Sequence, residues 1–138
     1  MIYFLDTNIC IYFLKGFFPS LQKKLLATQP NKIKIPAMVV AELFYGAQKS
    51  QKTLETMEKI EKFLRPLEVI SFDKNTANYY GKIRASLEKN GKIIGHNDII
   101  IAATVLAHKS ILVTNNTDEF SRIEGLALEN WTNELRKA

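Results

Sequence analysis

Three carboxylates stand in surroundings that carboxylates ordinarily avoid. Asp6 follows the apolar run Ile2-Tyr3-Phe4-Leu5, Glu42 is enclosed by Val39, Val40, Leu43 and Phe44, and Asp98 precedes Ile99-Ile100-Ile101-Ala102-Ala103. An ionised acid among apolar neighbours is costly unless a partner offsets its charge. Acids gathered together repel and raise one another's pKa, and a shared cation relieves both effects. Carboxylate oxygens suit Mg²⁺, with Mn²⁺ as the alternative. Cys10 is the only cysteine and there are two histidines, which excludes a cysteine-based zinc site and disfavours zinc generally. A hard cation held by oxygens can orient a water toward a phosphodiester and stabilise the charge that develops on phosphate. Nuclease chemistry is the leading expectation.

Each acid also has a simpler structural explanation. Asp6, in Asp6-Thr7-Asn8, can close an Asx-turn at a strand end. Asp98 can serve the dipole of the helix that it opens. For Glu42 the alternative is a salt bridge to a lysine. All three together in apolar contexts favour one metal site over three separate accidents. Cys10, in Ile9-Cys10-Ile11-Tyr12-Phe13-Leu14, reads as a small buried apolar residue rather than a nucleophile.

The elements that must position these acids alternate between short β-rich runs and longer helical patterns. Strands are expected at Ile2–Leu5, Ile33–Ile35, Glu68–Phe72 and Ile111–Thr114, with a weaker one at Leu126–Glu129. Helices are expected over Asn8–Lys15, with Asn8 as its cap and Gly16 ending it, then over Ser20–Ala27, Ala37–Gln48, Lys52–Leu64, Asp73–Glu88 and Asn97–His108. Such alternation implies a parallel sheet covered on both faces by helices, joined by right-handed crossovers. In open sheets of this kind the functional crevice lies at the carboxyl ends of the strands. Asp6 ends the first strand, and Glu42, about five residues into the helix after the second, lies within ~8 Å of the same edge. Asp98 joins them if the start of its helix folds over that edge.

At 138 residues the chain is expected to form a single domain, residues 1–138, with an ordinary globular core. No apolar run approaches the ~20 residues of a membrane span, and a cytoplasmic location is expected. Nineteen Lys and Arg against fourteen Asp and Glu leave a net charge of +5, a modest bias toward polyanions such as RNA. A nucleotide-binding module would need a glycine-rich loop after the first strand, and Asp6-Thr7-Asn8 supplies none.

Four segments, IYFLDTN, VVAELFYGA, GHNDIIIAA and LVTNNTDEFSRIEGLALENW, in this order and at this length, resemble the PIN-domain ribonucleases, specifically the VapC-type toxins of bacterial type II (VapBC) toxin–antitoxin pairs. The resemblance extends from the first strand to Trp131. It implies a three-layer α/β/α PIN-like fold and Mg²⁺-dependent endoribonuclease activity on structured RNA, with tRNA as the leading substrate. It also implies a homodimer neutralised by a VapB-type antitoxin that lies in a groove near the early helices, DNA being bound only through the antitoxin. Asp6, Glu42 and Asp98 take the acidic metal-binding roles. Asn116 stands where the family usually has an aspartate. Its carbonyl can bind a metal or a water but adds no charge, so the resemblance leaves one ion or two open. Asp118 is the candidate to make up the charge, against its reading as an exposed loop acid. Thr7 and Thr114 are candidates for positioning waters or substrate. Lys15, Lys49, Lys82, Arg84, Lys92 and Arg122 are candidate rim cations, and His96 is a candidate RNA contact or proton carrier, with helix capping as the plainer reading. The alternative class is a catalytically silent PIN scaffold that binds RNA or protein.

Overall fold

The central strand is short and buried on both faces. Tyr3–Leu5 forms β1, with Phe4 and Leu5 fully buried, and β-rich apolar residues of this kind suit a sheet covered by helices on either side. The computed structural model describes residues 1–133. After β1 come α1 (Thr7–Lys15), α2 (Pro19–Ala27), a 3₁₀ turn at Pro30–Lys32, and β2 (Ile33–Pro36). α3 (Ala37–Lys49), α4 (Thr53–Leu64) and β3 (Glu68–Ile70) follow. The chain continues through α5 (Lys74–Lys89), α6 (His96–Ala107), β4 (Ile111–Val113), α7 (Thr117–Phe120) and β5 (Ala127–Glu129).

All five strands are parallel in the order β3-β2-β1-β4-β5. The chain therefore moves outward from β1 to β3, then returns past β1 to lay down β4 and β5. The reversal falls between β1 and β4, where Leu5 pairs with Val113 and the Asp6 amide donates to the Val113 carbonyl at 3.2 Å. A crevice opens at such a point because the connections leaving the two strands depart in opposite directions. Right-handed crossovers place α1 to α4 on one face of the sheet and α5 and α6 on the other, giving the expected α/β/α layers.

Local chemistry sets the ends of the elements that bear on the site. α1 begins one residue earlier than the sequence pattern suggests, and its cap is Asp6 rather than Asn8: the Asp6 carboxylate accepts from the Ile9 amide at 2.9 Å. Gly16 closes α1 in a left-handed conformation, φ 67°, that a side chain would disfavour. α6 carries Ile99, Ile101, Ala102, Ala103 and Val105, all buried; a helix apolar around most of its surface has to sit inside the molecule. Its first turn emerges at the carboxyl edge of the sheet, since a helix connecting parallel strands runs opposite to them. β3 stops at Ile70, two residues short of the Glu68–Phe72 run. Phe72 instead packs edge-on against Tyr80. α7 was invisible to periodicity, being four residues long. Near the end of the described chain, Trp131 is buried, meets Tyr3 edge-to-face, and its indole donates to Glu129 at 2.9 Å.

Candidate active site

Asp6 sits at the carboxyl end of β1 directly beside Thr114, the residue after β4, so the sheet register itself brings them together. Both are buried. The Thr114 hydroxyl and the Ile9 amide hydrogen-bond the Asp6 carboxylate, but burial outweighs them and, with Glu42 nearby, pushes its pKa up to about 6. Burial also raises the Cys10 thiol, with Asp6 adding to the effect, which leaves Cys10 an inert part of the core.

Glu42 reaches the crevice from α3, where its carboxylate is held on both oxygens. The Thr7 hydroxyl donates to Oε1 in a short hydrogen bond, and the Asn97 amide donates to Oε2 at 3.4 Å. Thr7 was expected to position water or substrate; what it touches is Glu42. Asp98 enters from the first turn of α6, half-buried. Burial, then the negative charges of Glu119, Glu42 and Asp6, raise its pKa to about 6.

Glu119 is the residue that the sequence reading missed. It projects from α7 to within hydrogen-bonding reach of Asp98, while its Oε2 accepts from the Asn116 amide at 2.8 Å. Asn116 in turn donates its backbone N–H to the Thr114 hydroxyl at 3.0 Å. Asp118, read either as a supplementary acid or as an exposed loop acid, is exposed, and its backbone carbonyl accepts from the Ser121 hydroxyl. The two acids are adjacent on a single turn, so only one of them can face Asp98. Asn97 was likewise overlooked; its place beside Asp98 was the available signal.

Among the described residues the ion pairs are Lys34–Glu68, Lys59–Glu55 and Arg84–Glu88, so no lysine or arginine pairs with Asp6, Glu42, Asp98 or Glu119. Among the described residues, then, Glu42 has oxygen and amide donors for partners rather than a lysine. Four carboxylates with oxygen donors and no cationic partner among the described residues are a donor set of the kind that a hard divalent ion takes. Among the described residues no three acids stand close enough to enclose an ion as they are; the set is electrostatically coupled but open.

The candidate rim cations are mostly engaged locally. Lys15 lies over Phe17, Lys49 over Tyr45 and Lys82 over Tyr79. Arg84 donates to Tyr80 and Glu88, and Arg122 to the Ile93 carbonyl. His96 is exposed at the first position of α6. His108 ends α6 with Nδ1 2.9 Å from the Thr104 carbonyl. On the face of α1 and α4, an apolar groove of about 420 Å³ is lined by Phe13, Leu14, Leu25, Leu26 and Phe63, among others. It shares Leu14 and Lys59 with a second groove of about 340 Å³ that reaches Glu42.

Fold and site together define an α/β/α domain with a carboxylate cluster at the switch point of a parallel sheet. The PIN domain family model matches residues 3–126, and the chain belongs to that family. It is 46% identical over 132 residues to ribonuclease VapC2 of Rickettsia felis, covering 95% of this chain and 98% of that protein. It is 38% identical over 130 residues, covering 94% and 98%, to the tRNA(fMet)-specific endonuclease VapC of Shigella flexneri. Among solved structures it is similar to VapBC2 from Rickettsia felis bound to a DNA fragment from their promoter, with a TM-score of 0.89, 45% identity, and coverage of 95% and 99%. The fold expectation is borne out, and the resemblance to VapC ribonucleases with it. No helix among the described residues is long and apolar enough to cross a membrane.

Proposed function

We propose that this chain is the Mg²⁺-dependent endoribonuclease toxin of a VapBC pair, cutting phosphodiester bonds in structured RNA, with tRNA as the substrate class. The observation that carries this reading is the convergence of Asp6, Glu42, Asp98 and Glu119 from four separate elements, without a cationic partner among the described residues, at the sheet's switch point. Asp6 and Asp98, both raised mainly by burial and further by the charge of Glu42, are the principal metal ligands, and Glu42 completes the set. When bound, Mg²⁺ supplies an oriented water and charge stabilisation at the scissile phosphate. Thr7 and Asn97 hold Glu42 in place, and Thr114 holds Asp6. Single-stranded RNA loops suit the cleft because their backbone can splay away from a helix and enter; the name of the Shigella relative supports tRNA.

Neutralisation by a VapB-type antitoxin is part of the same reading. The solved Rickettsia complex supports such a partner, and the paired grooves along α1 and α4 give an apolar path that ends at Glu42. The scaffold alternative rested on the missing charge at Asn116, and Glu119 provides a carboxylate there. The test is cleavage of an RNA panel that includes tRNA by the wild type and by Asp6→Ala, with Mg²⁺ and with EDTA. Cleavage only by the wild type with Mg²⁺ is expected; equal cutting by both proteins, or none by the wild type, would favour the scaffold.

A further inference from the structure

We propose that Asn116 is a positioning residue, not a metal ligand: its side-chain amide holds Glu119 toward Asp98, so that Glu119 supplies the fourth carboxylate. This rests on the nuclease reading above and assigns a role within the same site.

Asn116-Thr117-Asp118-Glu119 has the spacing of a capping box, in which the side chain at the cap accepts the amide three residues on and the glutamate reaches back to the cap's own amide. The helix α7 is built otherwise. Asn116 is its cap residue but makes no side-chain capping hydrogen bond, and its backbone, at φ −95° and ψ 56°, departs from the extended geometry usual at that position. Its backbone N–H is already committed to the Thr114 hydroxyl at 3.0 Å, so Glu119 has no free amide to reach back to. The two side chains meet each other instead, Asn116 Nδ2 donating to Glu119 Oε2 at 2.8 Å. A carboxylate requires the donor end of the amide to face it, which turns the Asn116 carbonyl away. A side-chain cap ordinarily stabilises a helix start, and α7 forgoes it in an arrangement that aims Glu119 at Asp98. Thr114, bonded to both Asp6 and the Asn116 backbone, ties this device to the central acid.

Mn²⁺ titration of four full-length proteins by calorimetry tests the proposal: the wild type, Asn116→Ser, Glu119→Gln and the double variant, with thermal melts confirming that each is folded. Serine keeps an oxygen able to cap α7 but is too short to reach Glu119. Loss of a group that orients a ligand typically weakens metal affinity ~10–100-fold, and Asn116→Ser and Glu119→Gln should each do so by at least about tenfold. The double variant should bind no more weakly than Glu119→Gln alone, because Asn116 then has nothing left to hold. Additive losses would show that Asn116 meets the ion independently, and unchanged affinity in Asn116→Ser would show that it orients nothing; either overturns the proposal while leaving the nuclease reading standing. A wild type that takes up no Mn²⁺ would overturn both.

Discussion

Replacing Asp6 with asparagine should make the metal-free protein more stable while destroying its activity. Asp6 is buried, and burial lifts its pKa from 3.8 to about 6. The folded state thus holds a proton that the unfolded chain has released between about pH 4 and 6. By linkage, stability falls as pH rises through that window, and the cost is fully in place above about 6. The difference corresponds to about 3 kcal/mol at neutral pH, and below about 4 it vanishes because the carboxyl is protonated in both states. Asparagine keeps an oxygen for the Ile9 amide and an amide for the Thr114 hydroxyl, so the cap survives without the charge. At about 3 °C per kcal/mol for a domain of this size, Asp6→Asn should melt up to ~10 °C higher than the wild type at pH 8 in EDTA. The gap should shrink as pH is lowered toward 4. Saturating Mg²⁺ should narrow it from the other side, since the ion stabilises mainly the protein that binds it. Differential scanning calorimetry across pH, with and without Mg²⁺, reads all three. An Asp6→Asn protein that is no more stable than the wild type at pH 8 in EDTA would refute the reasoning.

Further outcomes are expected. Asp98→Asn should abolish RNA cleavage, by at least about a hundredfold, with an unchanged circular dichroism spectrum; persistence of wild-type cutting would remove Asp98 from the site. Thr7→Val deletes the hydroxyl that holds Glu42 Oε1 and should lower cleavage ~10–100-fold, measured as initial rates on one RNA, while a rate within twofold of wild type would mean that Glu42 needs no such support. Leu26, 76% exposed, lines the apolar groove but not the one that reaches Glu42, so Leu26→Glu should weaken antitoxin binding by tenfold or more and leave cleavage intact; unaltered antitoxin affinity would place the partner elsewhere.

Asp6, Glu42 and Asp98 could be read from the sequence because each interrupts an apolar run, and a charge there demands compensation. Glu119 could not. It lies in the polar stretch Asn115-Asn116-Thr117-Asp118-Glu119, where another acid is unremarkable and where α7 is too short for any periodicity to show which side faces inward. Asp118, exposed as its reading as a loop acid has it, shows the same limit: composition does not distinguish neighbours on one turn, whereas the turn's orientation against Asp98 does. Thr7 was recognised as belonging to the site, but its partner, Glu42, is 35 residues away and becomes visible only once α1 and α3 are packed together. The layered fold was legible throughout, since the strand and helix patterns of β1 to β5 are set by burial on two faces or one. Where boundaries moved, a local bond decided them, as when Asp6 rather than Asn8 capped α1.

The most direct measurement is anomalous diffraction from crystals of the wild-type protein grown with Mn²⁺. A peak within coordination distance of Asp6 and Asp98, with Glu42 and Glu119 bounding the same site directly or through water, is the expected result. Mn²⁺ absent from this crevice at saturating concentration, or bound only elsewhere on the surface, would contradict the assignment of these carboxylates to a shared catalytic ion.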